Sequence, residues 1–236
     1  MRLVLASASP RRAELLRAAG FTFETCAVDI DETARAGEAP ASYVRRLAAE
    51  KSARASVAVH GSAGATGPAN RLRQDYGGPP KLYAEAEAGH YVQKRVVQEK
   101  TVQEEVVAQE EVVVLGADTA VVVDGEIVAK PRDNKEAAAM LSRLSGRRHE
   151  VMTGVSLRVS AYEVGRVETT VVYFAALTPA EIAWYVASGE GLDKAGAYGI
   201  QGLASRFIPR IEGSYSNVVG LPLQCVYELL NELGVG

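Results

Sequence analysis

Cysteine and histidine are scarce in this sequence of 236 residues, which contains two cysteines and three histidines. Cys26 and Cys225 stand far apart and outside any CxxC spacing, so the sequence shows neither a disulfide framework nor a zinc-binding pattern. We expect both to be core thiols. The histidines lack ligand spacing: His60 and His90 are expected to be solvated, and a structural hydrogen bond is favoured over catalysis for His149.

A large charge of one sign and long apolar runs are also absent. The formal net charge of −3 provides no global basic field for a nucleic acid polymer, so any anion site must be local. No run approaches the length of a membrane span, and the N-terminal stretch 1–5 is apolar for too few residues to be a signal peptide. The glycine-rich stretch 193–203 fits neither P-loop nor dinucleotide-binding spacing. We therefore expect a cytoplasmic protein without a membrane partner.

Apolar residues make up 47% of the chain, which is sufficient for one large α/β domain or two small ones. Apolar periodicity and capping signals predict helices near residues 10–19, 40–51, 134–144, 178–186 and 222–233. Apolar and β-branched segments predict strands at 3–6, 21–28, 150–159, 168–177 and 208–211, with a turn at 213–217. Residues 58–110 contain glycine- and proline-rich turns and a short Val-Gln-Glu repeat, which we interpret as an insertion.

The stretch 111–131 contains an isolated acid among valines. Two β-branched runs, 112–115 and 120–123, are separated by Gly116 and followed by Asp124-Gly125, so we interpret them as a buried hairpin with turns at both points. Asp118 lies between the two runs. A carboxylate there is costly unless it meets a cation, a metal or several donors, so it either satisfies backbone donors in a turn or has a chemical function.

The first predicted helix begins at a candidate phosphate site. Ser9 is a favourable N-cap, Pro10 fits the first helical position and Gly20 fits the position after the last turn. The helix N-terminus presents free N–H groups, and Arg11 and Arg12 add two cations at the same place. Cations oppose the helix dipole there unless an anion is bound, so the pattern favours an anion site over an ordinary solvated first turn.

Other polar residues are further candidates for a functional site. Asp29, Asp31 and Glu32 place three carboxylates within four residues, which is typical of a solvated loop or of part of a hard-cation site. Lys51 ends an apolar helical stripe and either extends to the surface or reaches an anion in a cleft. Gln201 lies among glycines that indicate close approach of a flat ligand, and its amide both donates and accepts hydrogen bonds.

Together these segments resemble the Maf family of nucleoside triphosphate pyrophosphatases, a branch of the inosine-triphosphatase-like fold. The matches cover nearly the whole chain outside the insertion: LASASPRR at 5–12, VDIDE at 28–32, YVRRLA at 43–48 continuing to Lys51, LGADT at 115–119, Lys130-Pro131, LSG at 144–146, and residues 189–202 and 213–222. The resemblance implies one α/β domain over 1–236, with a mixed twisted sheet flanked by helices and two lobes around a central cleft.

The resemblance also implies hydrolysis of a nucleoside triphosphate between the α and β phosphates, with a divalent cation, Mg²⁺ or Mn²⁺. Asp118 would be the general base that deprotonates water for attack on the α phosphorus. Glu32 would hold the metal together with Asp118. The triphosphate would be surrounded by donors and positive charge from Ser9, Arg11, Arg12, Lys51 and Lys130.

Three residues bear on the substrate. Arg11, Thr119 and Gln201 are similar to those of family members that act on dTTP and UTP, whereas the branch similar to 7-methyl-GTP pyrophosphatases carries Trp, Gln and Glu in those motifs. A neutral Gln201 amide matches the edge of uracil or thymine, while Glu suits the donor-rich edge of a methylated guanine. The alternatives are a 7-methyl-GTP or purine pyrophosphatase and, because the family name is associated with inhibited septum formation, a nucleotide-binding regulator. The sequence does not decide whether the protein forms a homodimer.

Overall fold

The computed structural model describes residues 1–61 and 111–235. Within these ranges the chain forms a mixed sheet of seven strands flanked by helices. The strands are β1 (Arg2–Leu5), β2 (Phe23–Thr25), β3 (Val112–Val123), β4 (Glu126–Val128), β5 (Arg148–Val159), β6 (Tyr162–Tyr173) and β7 (Arg210–Glu212). The α-helices are α1 (Pro10–Ala18), α2 (Pro40–Gly61), α3 (Asn134–Leu144), α4 (Pro179–Ala187), α5 (Tyr215–Val219) and α6 (Leu223–Glu232). None of the described helices is long and apolar enough to cross a membrane.

The strand order is β2-β1-β3-β5-β6-β7, with β4 beside β3. β1 runs parallel to β2 and β3, and the remaining pairs are antiparallel. β5 follows one edge of β3, so β1 and β4 must share the other: Leu5 lies opposite Leu115, and Val128 lies opposite Val121. Among the described strands, none pairs with residues 116–120 at that shared edge. This unpaired stretch leaves a gap between β1 and β4, and the cleft described below lies beside it.

The core lies on both faces of the sheet because successive side chains of β3 point in opposite directions. Val113 and Leu115 pack on one face with Leu16 of α1 and residues of α6. Further along the same face, odd-numbered positions of β3 join a second cluster with α3 and α4. Val114 packs on the other face with Ala55 of α2. Helix α2 therefore covers the face opposite to α1.

Helix α2 lies very close to the sheet because two strand positions lack side chains. A Cβ at Gly116 would lie 2.2 Å from the carbonyl oxygen of Ala48 and 2.7 Å from the backbone nitrogen of Ser52. A Cβ at Gly154, on β5, would lie 2.2 Å from the carbonyl oxygen of Val44. Only glycine permits backbone to approach backbone this closely. The approach brings the side chains of α2 against the middle of β3.

Several sequence predictions are confirmed. α3 has the predicted bounds, Asn134–Leu144. α4 begins with the predicted capping box, in which the Thr178 hydroxyl accepts from the Glu181 N–H and the Glu181 carboxylate accepts from the Thr178 N–H. Gly20 follows α1 in the left-handed region with φ of 82°. Cys225 is a buried free thiol, as expected, whereas Cys26 is only partly buried.

Three predictions of local structure are wrong. Gly116 does not form a turn, because β3 is one continuous strand and its glycine accommodates α2. Asp118 consequently lies within a strand and not between two strands of a hairpin. β6 begins at Tyr162, well before the predicted start. The sequence pattern missed the first half of this strand because that half is largely exposed or half-buried and lacks an apolar alternation. Residues 215–217, predicted as a turn, belong to α5.

The predicted insertion at 58–110 lies almost wholly outside the described residues, together with His90. Its first residues complete α2, which continues to Gly61. The single domain over 1–236 therefore stays a prediction.

We predict that Gly116→Ala lowers the free energy of unfolding by about 1–3 kcal/mol, because the added methyl group would push α2 away from β3. Urea unfolding measures the difference. Gly61→Ala is the matched control, since a Cβ at Gly61 would meet none of the described residues within 4 Å, and the stability of this variant should be close to that of the wild type. Equal stability of the two variants would contradict the close packing.

Candidate functional site

A cleft with a volume of about 720 Å³ opens beside the gap at the edge of β3. Its lining includes every residue that the sequence analysis assigned to the site: Ser9, Arg11, Arg12, Glu32, Lys51, Asp118, Thr119, Lys130 and Gln201. They are contributed by separate parts of the chain, from the start of α1 to the glycine-rich stretch that follows α4. The structure thus brings these residues together, while their individual roles stay predictions.

Asp118 and Thr119 are neighbours in β3 but point to opposite faces of the sheet. Asp118 points towards α2, where Lys51 contacts it. Thr119 points towards α1, where Arg12 donates to its hydroxyl at 3.1 Å. Both side chains line the cleft. The unpaired edge of β3 therefore gives one cavity access to groups from both faces of the sheet.

Lys51 joins two carboxylates in the cleft. Its Nζ lies 2.6 Å from Oδ1 of Asp118 and 2.7 Å from Oε1 of Glu32. Lys51 and Asp118 are each only 8% exposed, whereas the Glu32 side chain is 55% exposed. Burial opposes ionisation of Glu32, but the hydrogen bond and charge of Lys51, assisted by Lys130 and Arg12, outweigh it and lower the pKa of Glu32. Of the two alternatives for Lys51, the structure shows the one in which it reaches anions in a cleft.

Arg12 is buried and held by three hydrogen bonds, so it is not part of a solvated first turn. Its Nε donates to the carbonyl oxygen of Gly220 at 2.8 Å, Nη1 donates to Ser7 Oγ at 3.1 Å and Nη2 donates to Thr119 Oγ1. Burial lowers the pKa of Arg12, and the charge of Asp118 opposes that effect. The guanidinium is thereby fixed in orientation at the wall of the cleft.

Arg11 and Ser9 stand at the start of α1 with fewer constraints. Arg11 Nη1 lies 3.3 Å from Oδ2 of Asp193, whose side chain is 67% exposed. Ser9 precedes the first helical residue, as predicted, but its side chain makes no capping hydrogen bond, which corrects the expected cap. Instead, its own N–H donates to Ser7 Oγ at 3.2 Å. The Ser9 hydroxyl therefore does not occupy the N–H groups of the first turn.

The carboxylates of the cleft fit a divalent cation that is also bound by the phosphate oxygens of a ligand. In the described ranges no group of three or more His, Cys, Asp or Glu side chains could hold a metal ion, and Glu32 is the only carboxylate of the predicted 29–32 cluster that lines the cleft. Mg²⁺ in proteins is usually bound by one or two carboxylates together with phosphate oxygens. Glu32 and Asp118, which share the Lys51 ammonium, fit that donor set beside a group of cations.

The sequence analysis missed other residues that line the cleft, namely Tyr43, Glu190, Asp193, Lys194 and Tyr198. The Tyr43 hydroxyl donates to the carbonyl oxygen of Glu32 at 3.0 Å and so fastens the loop that carries Glu32. Burial, with the charges of Asp118 and Glu32, raises the pKa of Tyr43 to about 12. The sequence signal that could have identified Tyr43 is its helical spacing, which places it on the same face of the helix as Lys51.

His149 makes the structural hydrogen bond that the sequence analysis favoured. Its Nε2 lies 2.7 Å from the Tyr198 hydroxyl, and the imidazole is 3% exposed. Burial lowers the pKa of His149 to about 4. The imidazole is therefore neutral near pH 7 and supports Tyr198 from behind the cleft wall.

The fold and the cleft define an α/β protein whose cavity combines cations with a bridged pair of carboxylates, an arrangement suited to an anionic ligand. The profile of the family described as Maf-like protein matches residues 2–233. The chain belongs to the Maf family.

Individual relatives match along nearly their whole length. The chain is 43% identical over 240 residues to a dTTP/UTP pyrophosphatase of Shewanella oneidensis, with 100% of both chains covered. It is 41% identical to a dTTP/UTP pyrophosphatase of Symbiobacterium thermophilum, over 98% of this chain and 94% of that protein. It is 42% identical to a dTTP/UTP pyrophosphatase of Escherichia coli O157:H7, over 97% of this chain and 91% of that protein.

We predict that the free energy of unfolding falls as the pH drops from about 6.5 to about 4, in part because of His149. The folded-state pKa is depressed from 6.5 to about 4, so the unfolded state binds its proton first and is favoured as the pH falls. The loss from this group reaches up to about 3 kcal/mol. Urea unfolding across this pH range should show a weaker pH dependence for His149→Gln.

His60→Gln is the control for that measurement, because it makes the same substitution at an imidazole that is exposed on α2. If His149→Gln retained the full wild-type dependence, a neutral buried imidazole at position 149 would be ruled out.

Proposed function

We propose that this chain hydrolyses dTTP and UTP to the nucleoside monophosphate and pyrophosphate. The observation that carries the proposal is the Lys51 bridge between Asp118 and Glu32 in a cation-lined cleft. It occurs in a chain that is 41–43% identical, along nearly its whole length, to proteins named dTTP/UTP pyrophosphatase. The proposed substrate is the free nucleotide in the cytoplasm, and a nucleic acid polymer is not proposed.

The cations of the cleft are proposed to bind the triphosphate. Arg12 has a fixed orientation, so its guanidinium presents donors to phosphate oxygens without further ordering. Arg11 stands at the N-terminus of α1, where the helix dipole favours the same anion. Lys51, Lys130 and Ser9 also line the cavity and complete the proposed set of donors. Positive charge at these positions stabilises the pyrophosphate that leaves.

Asp118 is proposed to be the general base. A water molecule that attacks the α phosphorus must lose a proton, and a carboxylate within hydrogen-bond reach accepts it. Lys51 donates to Oδ1 of Asp118, which fixes the carboxylate while its second oxygen is available for the water. The bond that forms joins the water oxygen to the α phosphorus, and the bond that breaks joins the α phosphorus to the bridging oxygen of the pyrophosphate.

Glu32 and Asp118 are the residues proposed to hold Mg²⁺ or Mn²⁺. When bound, such an ion neutralises charge on the phosphate oxygens. The Tyr43 hydroxyl and the Arg46 guanidinium hold the backbone beside Glu32, at the carbonyl oxygens of Glu32 and Thr33, so the carboxylate is positioned before substrate arrives. Preorganisation of this kind lowers the cost of binding.

Base recognition is proposed for the opposite side of the cleft. Gln201 is exposed in the glycine-rich turn and presents one donor group and one acceptor, which complement the edge of thymine or uracil. Thr119 and Arg11 are proposed to contribute to the same selectivity. The Thr119 hydroxyl contacts Arg12, the Thr153 hydroxyl and the carbonyl oxygen of Gly220, so its contribution is expected through the position of Arg12.

We predict that Asp118→Asn lowers kcat for dTTP by about 10²–10⁴-fold, because an amide cannot take the proton from water. Pyrophosphate release measures turnover, and nucleotide binding should persist in the variant. Asp29→Asn is the control, since it makes the same substitution in the loop that carries Glu32, at a residue that does not line the cleft. An unchanged kcat in Asp118→Asn would refute the proposed base.

We predict that dTTP and UTP are cleaved in preference to dCTP, GTP and 7-methyl-GTP, and that chelation of divalent cations abolishes turnover. A panel of these nucleotides with pyrophosphate detection, run with Mg²⁺, with Mn²⁺ and with a chelator, is the direct test. Gln201→Glu should reduce the preference for dTTP and UTP.

Two results of the panel would overturn the proposal. Preferred cleavage of 7-methyl-GTP or GTP would transfer the assignment to a purine pyrophosphatase. Tight binding of nucleotides without release of pyrophosphate under any metal condition would instead support a nucleotide-binding regulator.

A further inference from the structure

The turn that carries Gln201 lies against the carboxylate of Glu190. The Leu203 N–H donates to Oε2 of Glu190 at 2.8 Å. A Cβ on Gly202 would lie 2.3 Å from the same oxygen, so the backbone of the turn lies directly on the carboxylate group. The position of the turn over the cleft therefore follows the position of the Glu190 side chain.

The carboxylate is itself anchored to the core. The Tyr185 hydroxyl donates to Oε1 of Glu190 at 2.9 Å and accepts from the Gly199 N–H at 3.3 Å. Tyr185 is 1% exposed and belongs to the core cluster that includes residues of α3 and α4. Burial, together with the hydrogen bond to Glu190, raises the pKa of Tyr185, so its hydroxyl keeps the proton that it donates. Glu190 and Tyr185 thus hold the two ends of the turn, at Leu203 and Gly199.

Glu190 is also held through its backbone. Lys194 Nζ donates to the carbonyl oxygen of Glu190 at 2.6 Å and to Oδ1 of Asp193 at 2.7 Å. The aliphatic part of Lys194 lies under Gly199, where a Cβ would meet Lys194 Cε at 2.8 Å. Both carboxylate oxygens of Glu190 already accept hydrogen bonds from the protein, so the geometry is that of a support for the turn.

We propose that Glu190, anchored by Tyr185, is a positioning residue for base selection: it fixes the backbone of the 199–203 turn and thereby the position of the Gln201 amide. The inference rests on the proposed function, in which Gln201 reads the pyrimidine edge. Glu190 acts through the hydrogen bonds that it accepts, and its negative charge is secondary. A displaced turn misaligns both hydrogen bonds to the base, and selectivity that depends on paired polar groups is sensitive to such misalignment.

The test compares Glu190→Ala, Glu190→Gln and Tyr185→Phe. Glu190→Ala removes the support, and we expect the ratio of kcat/KM for dTTP to that for dCTP to fall by about tenfold, with the change mainly in KM for dTTP. Glu190→Gln keeps an oxygen that accepts from the Leu203 N–H and should retain the ratio within about threefold. Tyr185→Phe should act in the same direction as Glu190→Ala, and the double variant should lose less than the two single losses combined.

Glu181→Ala is the matched control. It removes a carboxylate from the other end of α4, where Glu181 belongs to the capping box, and it should lower stability without altering the nucleotide ratio. Amide hydrogen exchange gives a second readout that does not depend on catalysis: the Leu203 amide should exchange faster in Glu190→Ala than in the wild type or in Glu181→Ala.

The outcomes separate this inference from the proposed function. If the wild type cleaves no pyrimidine triphosphate, the proposed function fails, while hydrogen exchange still reports whether Glu190 supports the turn. If the wild type is selective, the inference is overturned by an unchanged ratio in Glu190→Ala or by an equal loss for dTTP and dCTP. Equal damage in Glu190→Gln and Glu190→Ala would also overturn it, because the charge of Glu190 would then be what matters.

Discussion

The approach of α2 to β3 and β5 determines both the packing of the sheet and the geometry of the cleft. Gly116 and Gly154 allow the helix backbone to touch the strand backbone, and α2 then places Lys51 beside Asp118. Each of these charged groups is 8% exposed, and a buried charge without a partner is strongly destabilising. The helix packing and the ion pair therefore depend on each other, since a displaced helix would leave Asp118 buried without its cation.

The gap at the edge of β3, where residues 116–120 have no partner among the described strands, explains how so many polar groups reach one cavity. β1 ends opposite Leu115, and its chain continues into α1, so the arginines of α1 arrive beside the gap from one face of the sheet. β4 pairs only with the last part of β3, and the loop that follows it brings Lys130 to the same cavity. Because successive side chains of a strand point to opposite faces, Asp118 lies on one face of the sheet and Thr119 on the other. The proposed general base and the neighbouring threonine that is proposed to bear on selectivity thus contact different helices, α2 and α1.

Much of the fold could be predicted from sequence because the signals were local. α3 and α4 carry capping residues and apolar periodicity within a few turns, and both were placed well. Gly116 was misread because a glycine that accommodates a distant helix looks, in sequence, the same as a glycine in a turn. The residues assigned to the cleft were recognised through short motifs. Glu190 was not, since its contact with the Leu203 N–H exists only after the intervening chain has folded back.

Two of the ion pairs in the cleft, Arg11–Asp193 and Lys51–Asp118, differ in a way that bears on ligand binding. The Arg11–Asp193 pair is largely exposed on the Asp193 side and separated by 3.3 Å, and exposed pairs contribute about 0–1 kcal/mol. A polyphosphate, with its higher charge and several acceptors, competes well against such a partner for Arg11. The Lys51–Asp118 pair is buried and short, so it is the more costly of the two to break. In the proposed function, Arg11 is therefore the cation of these two that would exchange a protein carboxylate for a phosphate at low cost, whereas Lys51 would keep Asp118 in place during the exchange.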